Sequence, residues 1–296
     1  MSEHPKQLLL VGAGAIGQLI AHQWQCAKLP IVTLPRSPSP HADFFDYHFR
    51  DYQSARTELC RIPIIKDSDF SSIQAVFIAV KAYDLESVFR RLDTLGVPHD
   101  RPIICAHNGL VDLTTSRPCY TWITTHGVTR SNRVTEHKGL GSDWIDARIQ
   151  HHQQLTEQLH TAFPKLHFDA DIKARQWQKF CLNCVINPLT AVNQCLNGEL
   201  LKEQYHEQRR MLVSELVSLS QALGYRLNTA DLLVLVEQVC EATAENQSSM
   251  LSDIKANRKT EIKALTGYAL KKAAELGVNL PTHAALYHQF SQLYLR

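Results

Sequence analysis

Leu8-Leu9-Leu10-Val11-Gly12-Ala13-Gly14-Ala15-Ile16-Gly17 decides how the first half of this chain folds. Residues 8–11 are a short apolar run suited to a buried strand, and residues 16–28 carry a helix-compatible pattern. Each glycine of the G-x-G-x-x-G between them has its own physical use. Gly12 permits the tight turn, Gly14 lets a pyrophosphate approach the backbone, and Gly17 lets the helix pack close to the strand. Ala13, Ala15 and Ile16 complete the turn, and the helix amino terminus offers N–H groups and partial positive charge to phosphate. The same glycines could merely join strand to helix, but their placement directly after a strand favours a dinucleotide.

Working outward, residues 31–34, 76–80, 103–106 and 120–125 are further short, apolar, strand-like runs. They alternate with helical stretches such as residues 85–95, which implies crossover connections and a parallel sheet. Residues 37–70 contain Pro38, Pro40 and Pro63 and show no clean period, so an irregular stretch with a strand or two is expected. Beyond about residue 170 helical periodicity takes over, across residues 170–188, 200–223, 229–245 and 249–276, with a closing helix at 282–295. The switch near residues 168–172 divides a nucleotide-binding domain, 1–170, from a helical domain, 171–296.

A length of 296 residues fits two domains, and 44% hydrophobic content supplies a core for each. Lysine and arginine exceed aspartate and glutamate by 31 − 29 = +2, which argues against nucleic acid or an acidic membrane as partner. No apolar run nears the roughly 18 residues of a membrane span. Glu3, His4 and Lys6 precede only residues 8–11 before the glycines, so no secretory segment is expected and a cytoplasmic protein is. The eight cysteines sit largely inside apolar runs. Cys181 and Cys184 read as two core residues one helical turn apart; a redox or zinc pair is the other reading, with no second pair at metal-site spacing. No H-E-x-x-H occurs among the fifteen histidines, and no metal is expected.

Three residues lie where parallel sheets place ligands, past the carboxyl ends of strands. Arg36 stands after the second strand, where an NAD site carries a carboxylate; a guanidinium there favours a 2′-phosphate and NADPH, unless it is an ordinary surface arginine. Lys81 and Asn108 follow the next two strands, and either could equally be a turn residue. In the second half, Lys179, Asn183 and Asn187 recur at i, i+4 and i+8 on a helix that is apolar around most of its circumference. Such a stripe is expected to line a polar cavity, the cleft between the domains, unless it is a snorkelling lysine beside two satisfied amides. Pro188 is expected to kink or end that helix. Ser249 could be an N-cap or a grip for a substrate carboxylate, and Glu261 reads as a solvated helix residue near Arg258.

Together these motifs resemble the ketopantoate reductase (2-dehydropantoate 2-reductase) family. The residues that carry the likeness are Gly12–Gly17, Ala79-Val80-Lys81-Ala82, His107-Asn108-Gly109 and Thr124-Thr125-His126-Gly127. Trp177-Gln178-Lys179, Asn183-Cys184-Val185-Ile186-Asn187-Pro188-Leu189-Thr190-Ala191, Asn197-Gly198-Glu199-Leu200, Ser248-Ser249-Met250-Leu251 and Thr260-Glu261-Ile262 continue it in the second half. The resemblance implies an α/β Rossmann-type parallel-sheet domain followed by an all-α domain like the C-terminal domain of 6-phosphogluconate dehydrogenase. It implies NADPH-dependent reduction of ketopantoate to pantoate in pantothenate biosynthesis, with Lys179 as general acid. Asn108 then serves cofactor and substrate, while Lys81 and Val128 contact the cofactor. Asn183, Asn187, Asn197 and Ser249 bind substrate beside Lys179. Glu261 is an acidic residue of the active-site cleft, joining Lys179 in catalysis and also meeting the cofactor. Residues 1–5 look like an extension before the first strand, and Gly127-Val128 departs from the small pair common in relatives. Two other functions suit the same residues: NADPH-dependent reduction of another small 2-oxo acid, or a non-catalytic NADPH-binding regulator.

Overall fold

The computed structural model of the chain describes residues 6–37, 42–54, 56–66, 70–131 and 134–294. The expectations for residues 1–5, for Pro38 and Pro40 and for residue 295 lie outside the described residues. The chain divides into two units. The first runs to His107 and resumes over Leu113–Ile172; the second takes Asn108–Asp112 and the chain from Lys173 onward.

In the first unit, β1 (Gln7–Val11), α1 (Ala15–Cys26) and β2 (Ile31–Leu34) are followed by β3 (Phe44–Arg50), β4 (Glu58–Pro63) and β5 (Ile73–Ile78). Next come α2 (Leu85–Thr94), β6 (Ile103–Cys105), β7 (Cys119–Thr124), β8 (Gly127–Ser131) and β9 (Val134–Gly139). β10 (Asp143–Asp146), α3 (Gln153–Ala162) and β11 (Leu166–Asp169) complete it. A seven-stranded sheet has the order β11-β10-β7-β6-β5-β1-β2. Its strands pair in parallel except where β10 meets β7. This is the Rossmann-type sheet expected from the apolar runs. β1 is buried from Leu8 to Val11 because a parallel strand is covered on both faces. Trp24 of α1 is fully buried and donates its indole N–H to Pro30 O at 3.1 Å, which fixes the helix end on the sheet.

A second sheet, of order β4-β3-β9-β8, packs against α1, and its β3 and β4 are two strands within the stretch 37–70, where a strand or two is expected. In β3 the buried Tyr47 and Phe49 alternate with exposed Asp46 and His48, a period of two that the neighbouring prolines obscured. Strands β8, β9, β10 and β11 have no counterpart among the runs expected from sequence. The inward residues of β9 are Thr135 and His137, polar but buried, so the apolar signal of a strand is missing.

The second unit is helical: α4 (Ile172–Asn193), α5 (His206–Ala222), α6 (Thr229–Ala242), α7 (Ser249–Lys255), α8 (Tyr268–Leu276) and α9 (Pro281–Tyr294). Its core gathers around α4, whose Trp177, Phe180, Cys181, Cys184, Val185 and Leu189 are buried. Burial pushes the Cys181 thiol up to about 12 and Cys184 well above its usual range, so neither is a thiolate at neutral pH. Of the two expectations for Pro188, an end to the helix is overturned: α4 runs on to Asn193. The lost hydrogen bond costs about 3 kcal/mol, and burial of Leu189 beyond it returns about 2–3 kcal/mol. Two further expectations need correction. Short 3₁₀ turns occupy Asn197–Leu201 and Glu203–Tyr205 before α5 begins. Residues 249–276 are not one helix: α7 stops at Lys255, and a π-helical turn, Lys263–Gly267, precedes α8.

The start of α9 is held by Glu215 of α5, whose carboxylate accepts the N–H groups of Thr282 and His283 and the His283 ring Nδ1 at 2.7–3.0 Å. Burial alone would raise this carboxyl, but the hydrogen bonds from His283 and Thr282 outweigh it and hold it at about 2. A depressed carboxyl adds stability that is complete above its unfolded value near 4.5 and is lost as pH falls through about 2. Glu215→Gln is therefore expected to cost about 2 kcal/mol at neutral pH and to flatten the fall in the urea midpoint between pH 4.5 and 2.

Candidate functional site

The glycine turn is built by close approach. Gly12 has φ +99°, and a Cβ there would lie 2.5 Å from Ala79 O. A Cβ on Gly17 would lie 1.9 Å from Gly12 O, so that residue must be glycine for α1 to rest on β1. Gly14 differs, because a Cβ there would meet nothing within 4 Å. It caps α1 with no side-chain bond, and no acidic residue occupies the first turn. The space beside Gly14 is thus open at the positive end of a helix whose first-turn N–H groups lack i−4 partners, which fits a pyrophosphate. The Ala13 carbonyl is pinned from two sides: buried Gln18 donates Nε2 at 2.9 Å, and exposed Arg130 of β8 donates Nη1 at 3.4 Å.

At the end of β2, Arg36 is exposed and its Nη2 lies 2.7 Å from Asp84 Oδ2. Arg91 donates to Pro35 O at 2.7 Å and fixes the turn that presents Arg36. Lys81 is half-buried and extended, and opens the 3₁₀ turn Ala82–Asp84 that carries Arg36's partner. Val128 is half-buried against the core of the first unit. Its strand is braced by a chain of polar side chains. His126 Nδ1 lies 2.8 Å from His137 Nε2, His137 Nδ1 lies 2.9 Å from Asp51, and His126 Nε2 lies 3.2 Å from Asp143.

In the helical unit, Lys179 and Asn183 are half-buried and Asn187 is buried, in one row along α4. Ser249 is exposed and is not the cap of α7; Ser248 is, accepting Leu251 N–H at 3.1 Å. Ser248 Oγ also lies 2.7 Å from Thr190 Oγ1, which ties α7 to the Asn187 end of the row. Asn197 is buried, donates to Thr243 Oγ1 at 2.9 Å, and leaves Oδ1 with no partner. Glu261 is neither solvated nor helical: it is 4% exposed and stands just before the π turn, its carbonyl accepting from Ala264 and Leu265. Arg258 donates instead to Asp253. Asn108 belongs to the helical unit by its contacts. Gly109 (φ +74°) sits where a Cβ would be 2.6 Å from Ala264 O, and Leu110 N–H donates to that oxygen at 2.9 Å. The segment of Asn108 therefore docks on the turn that follows Glu261.

A Rossmann-type sheet with an open glycine turn, followed by a helical unit bearing a lysine–asparagine row, defines a dinucleotide-binding protein of two domains. Comparison with known proteins narrows this. The family "Ketopantoate reductase PanE/ApbA" matches residues 8–149, and its C-terminal counterpart matches residues 171–293. A 2-dehydropantoate 2-reductase from Salmonella typhi is 34% identical over 295 residues, covering 95% of this chain and 93% of that protein. The chain belongs to the ketopantoate reductase family. In fold it is similar to a ketopantoate reductase from Staphylococcus aureus, with a TM-score of 0.84 at 18% identity over 98% of this chain and 99% of the other. It is likewise similar to a D-mandelate dehydrogenase, with a TM-score of 0.82 at 18% identity over 97% of both chains.

Sequence reasoning missed Arg130 and Ser248. Arg130 lies in a strand with no apolar signal, so nothing in sequence brought it to the turn. Ser248 precedes Ser249, and only backbone geometry tells which serine is the cap. The glycines separate two effects. Gly14→Ala is expected to change stability by no more than about 1 kcal/mol yet weaken dinucleotide binding, whereas Gly17→Ala is expected to destabilise by about 3 kcal/mol or more. Thermal melts beside a nucleotide titration check both, and undiminished binding by Gly14→Ala would show that the open approach is unused.

Proposed function

We propose that this protein is an oxidoreductase that reduces ketopantoate to pantoate with NADPH. The observation that carries the reading is the row of Lys179, Asn183 and Asn187 on α4, one ammonium and two neutral amides running along a helix whose Trp177, Phe180, Cys181, Cys184, Val185 and Leu189 are buried in the core. It is supported by membership of the family and by relatives named 2-dehydropantoate 2-reductase along nearly the whole chain.

When bound, reduced nicotinamide supplies the hydride that the C2 ketone accepts. The backbone N–H groups of the glycine turn hold its pyrophosphate, with Arg130 as a second source of positive charge. Arg36, now paired with Asp84, would hold the 2′-phosphate, and Lys81 would contact the cofactor. Val128 and Asn108 contact the cofactor, and Glu261 stands close to Asn108's docking turn. Lys179 donates a proton to the C2 oxygen as negative charge gathers there, and its own charge stabilises that oxygen beforehand. Asn183, Asn187 and Asn197 hydrogen-bond the substrate without adding charge, and the Ser249 hydroxyl grips its carboxylate. The cytoplasm suits a chain whose eight cysteines are all unpaired thiols.

Lys179→Ala is expected to lower kcat by a hundredfold or more while the NADPH dissociation constant barely moves. Loss of absorbance at the reduced-nicotinamide band on mixing with ketopantoate reads the first, and nucleotide fluorescence the second. Full turnover by the variant sinks the assignment. Arg36→Ala should reduce the preference for NADPH over NADH by about tenfold, measured as the ratio of their kcat/KM values.

A further inference from the structure

The segment Asn108–Asp112 leaves the sheet after β6, yet it is counted with the helical unit. Its middle is fixed by backbone contact, Gly109 and Leu110 on the carbonyl of Ala264. Its far end is fixed by one carboxylate. Asp112 Oδ1 accepts the Tyr268 hydroxyl at 3.2 Å and lies 3.3 Å from Lys272 Nζ, and Oδ2 accepts Lys271 Nζ at 2.7 Å. All three partners stand on α8. The hydrogen bond from Lys271 holds the Asp112 carboxyl below its usual range. Tyr268 also reaches the other way, its ring edge on Phe180 at 5.8 Å, one residue from Lys179 on α4. One side chain thus links the helix of the proposed general acid to the segment of Asn108.

Asp112 is 46% exposed and Lys271 58%, and exposed ion pairs add little to folding. A grip that barely affects stability can still choose between two positions of a short segment, because a tenfold population ratio takes only about 1.4 kcal/mol. Displacement of a reacting group by an ångström costs far more in rate than in folding.

We propose that Asp112 is a positioning residue: by gripping Tyr268, Lys271 and Lys272 it holds Asn108 in register with Lys179. This rests on the reading of Asn108 as a cofactor and substrate contact. The test compares Asp112→Ala, Asp112→Asn, Asn108→Ala and the double variant Asp112→Ala with Asn108→Ala, each as the whole chain with NADPH and ketopantoate. Asp112→Ala is expected to lower kcat about tenfold, with the melting temperature and the NADPH dissociation constant nearly unchanged. Asp112→Asn, which keeps an acceptor for the Tyr268 hydroxyl, should recover part of the loss. In the Asn108→Ala background, Asp112→Ala should cost nothing further, which a merely structural role would not produce. Multiplying effects in the double variant would overturn the proposal, as would wild-type kcat in Asp112→Ala beside a crippled Asn108→Ala. Full activity of Asn108→Ala, or a wild-type chain that leaves NADPH unoxidised, would instead overturn the reading beneath it and the proposal with it.

Discussion

The contact on which the first unit depends is the one between Gly17 and the carbonyl of Gly12. With no room for a single methyl group there, helix and strand meet at the closest separation a polypeptide permits. That approach fixes where α1 begins, and therefore where its unpaired N–H groups point. It also leaves Gly14 as the one glycine of the turn whose missing side chain serves nothing inside the protein. Two glycines are spent on packing and one on leaving space.

Around that contact, buried polar groups do what apolar residues do elsewhere in the fold. Gln18 is wholly buried, bonded to the Ala13 carbonyl through its Nε2 and to Thr135 of β9 through its Oε1. Farther along, His137 lies between Asp51 and His126, and Asp143 accepts the Trp122 indole from inside the first core. Each group has a partner, which lets a polar inner face be buried without a large penalty. The second sheet is therefore attached to α1 by directional bonds as well as by the packing of Tyr47 and Phe49. Directional bonds fix the register of β8 more sharply than greasy contact could, and β8 carries Val128 and Arg130.

What could be read from the sequence follows from the same physics. The parallel strands β1, β2, β5, β6 and β7 are legible because burial on both faces demands unbroken apolar runs, and the glycine turn because Gly12 and Gly17 have no room for a side chain. The row on α4 is legible because Lys179, Asn183 and Asn187 recur at helical spacing among the apolar residues of 180–186. In the second sheet β9 is hidden because its inward positions are Thr135 and His137, whose burial depends on partners distant in the chain. Local propensity alone would let Pro188 end the helix, and the burial of Leu189 beyond it overrides that. Spacing to Arg258 suggests a solvated helix pair for Glu261, and only the resemblance puts it in a cleft; Arg258 turns instead to Asp253. Asn108 was identified as a residue of interest but not as a residue of the helical unit, since three-dimensional membership leaves no trace in local composition.

The π turn at Lys263–Gly267 has a geometric consequence for everything after it. Gly267 N–H reaches back to Ile262 O, one residue farther than an α-helix would allow, so the winding contains an inserted position. Each helical residue advances the azimuth by about 100°. Excising that one position would rotate α8 by roughly this angle, carrying the hydroxyl of Tyr268 and the ammonium groups of Lys271 and Lys272 away from Asp112. A single added residue in the winding thus acts as an angular offset, aiming one helix at a loop that enters from the sheet.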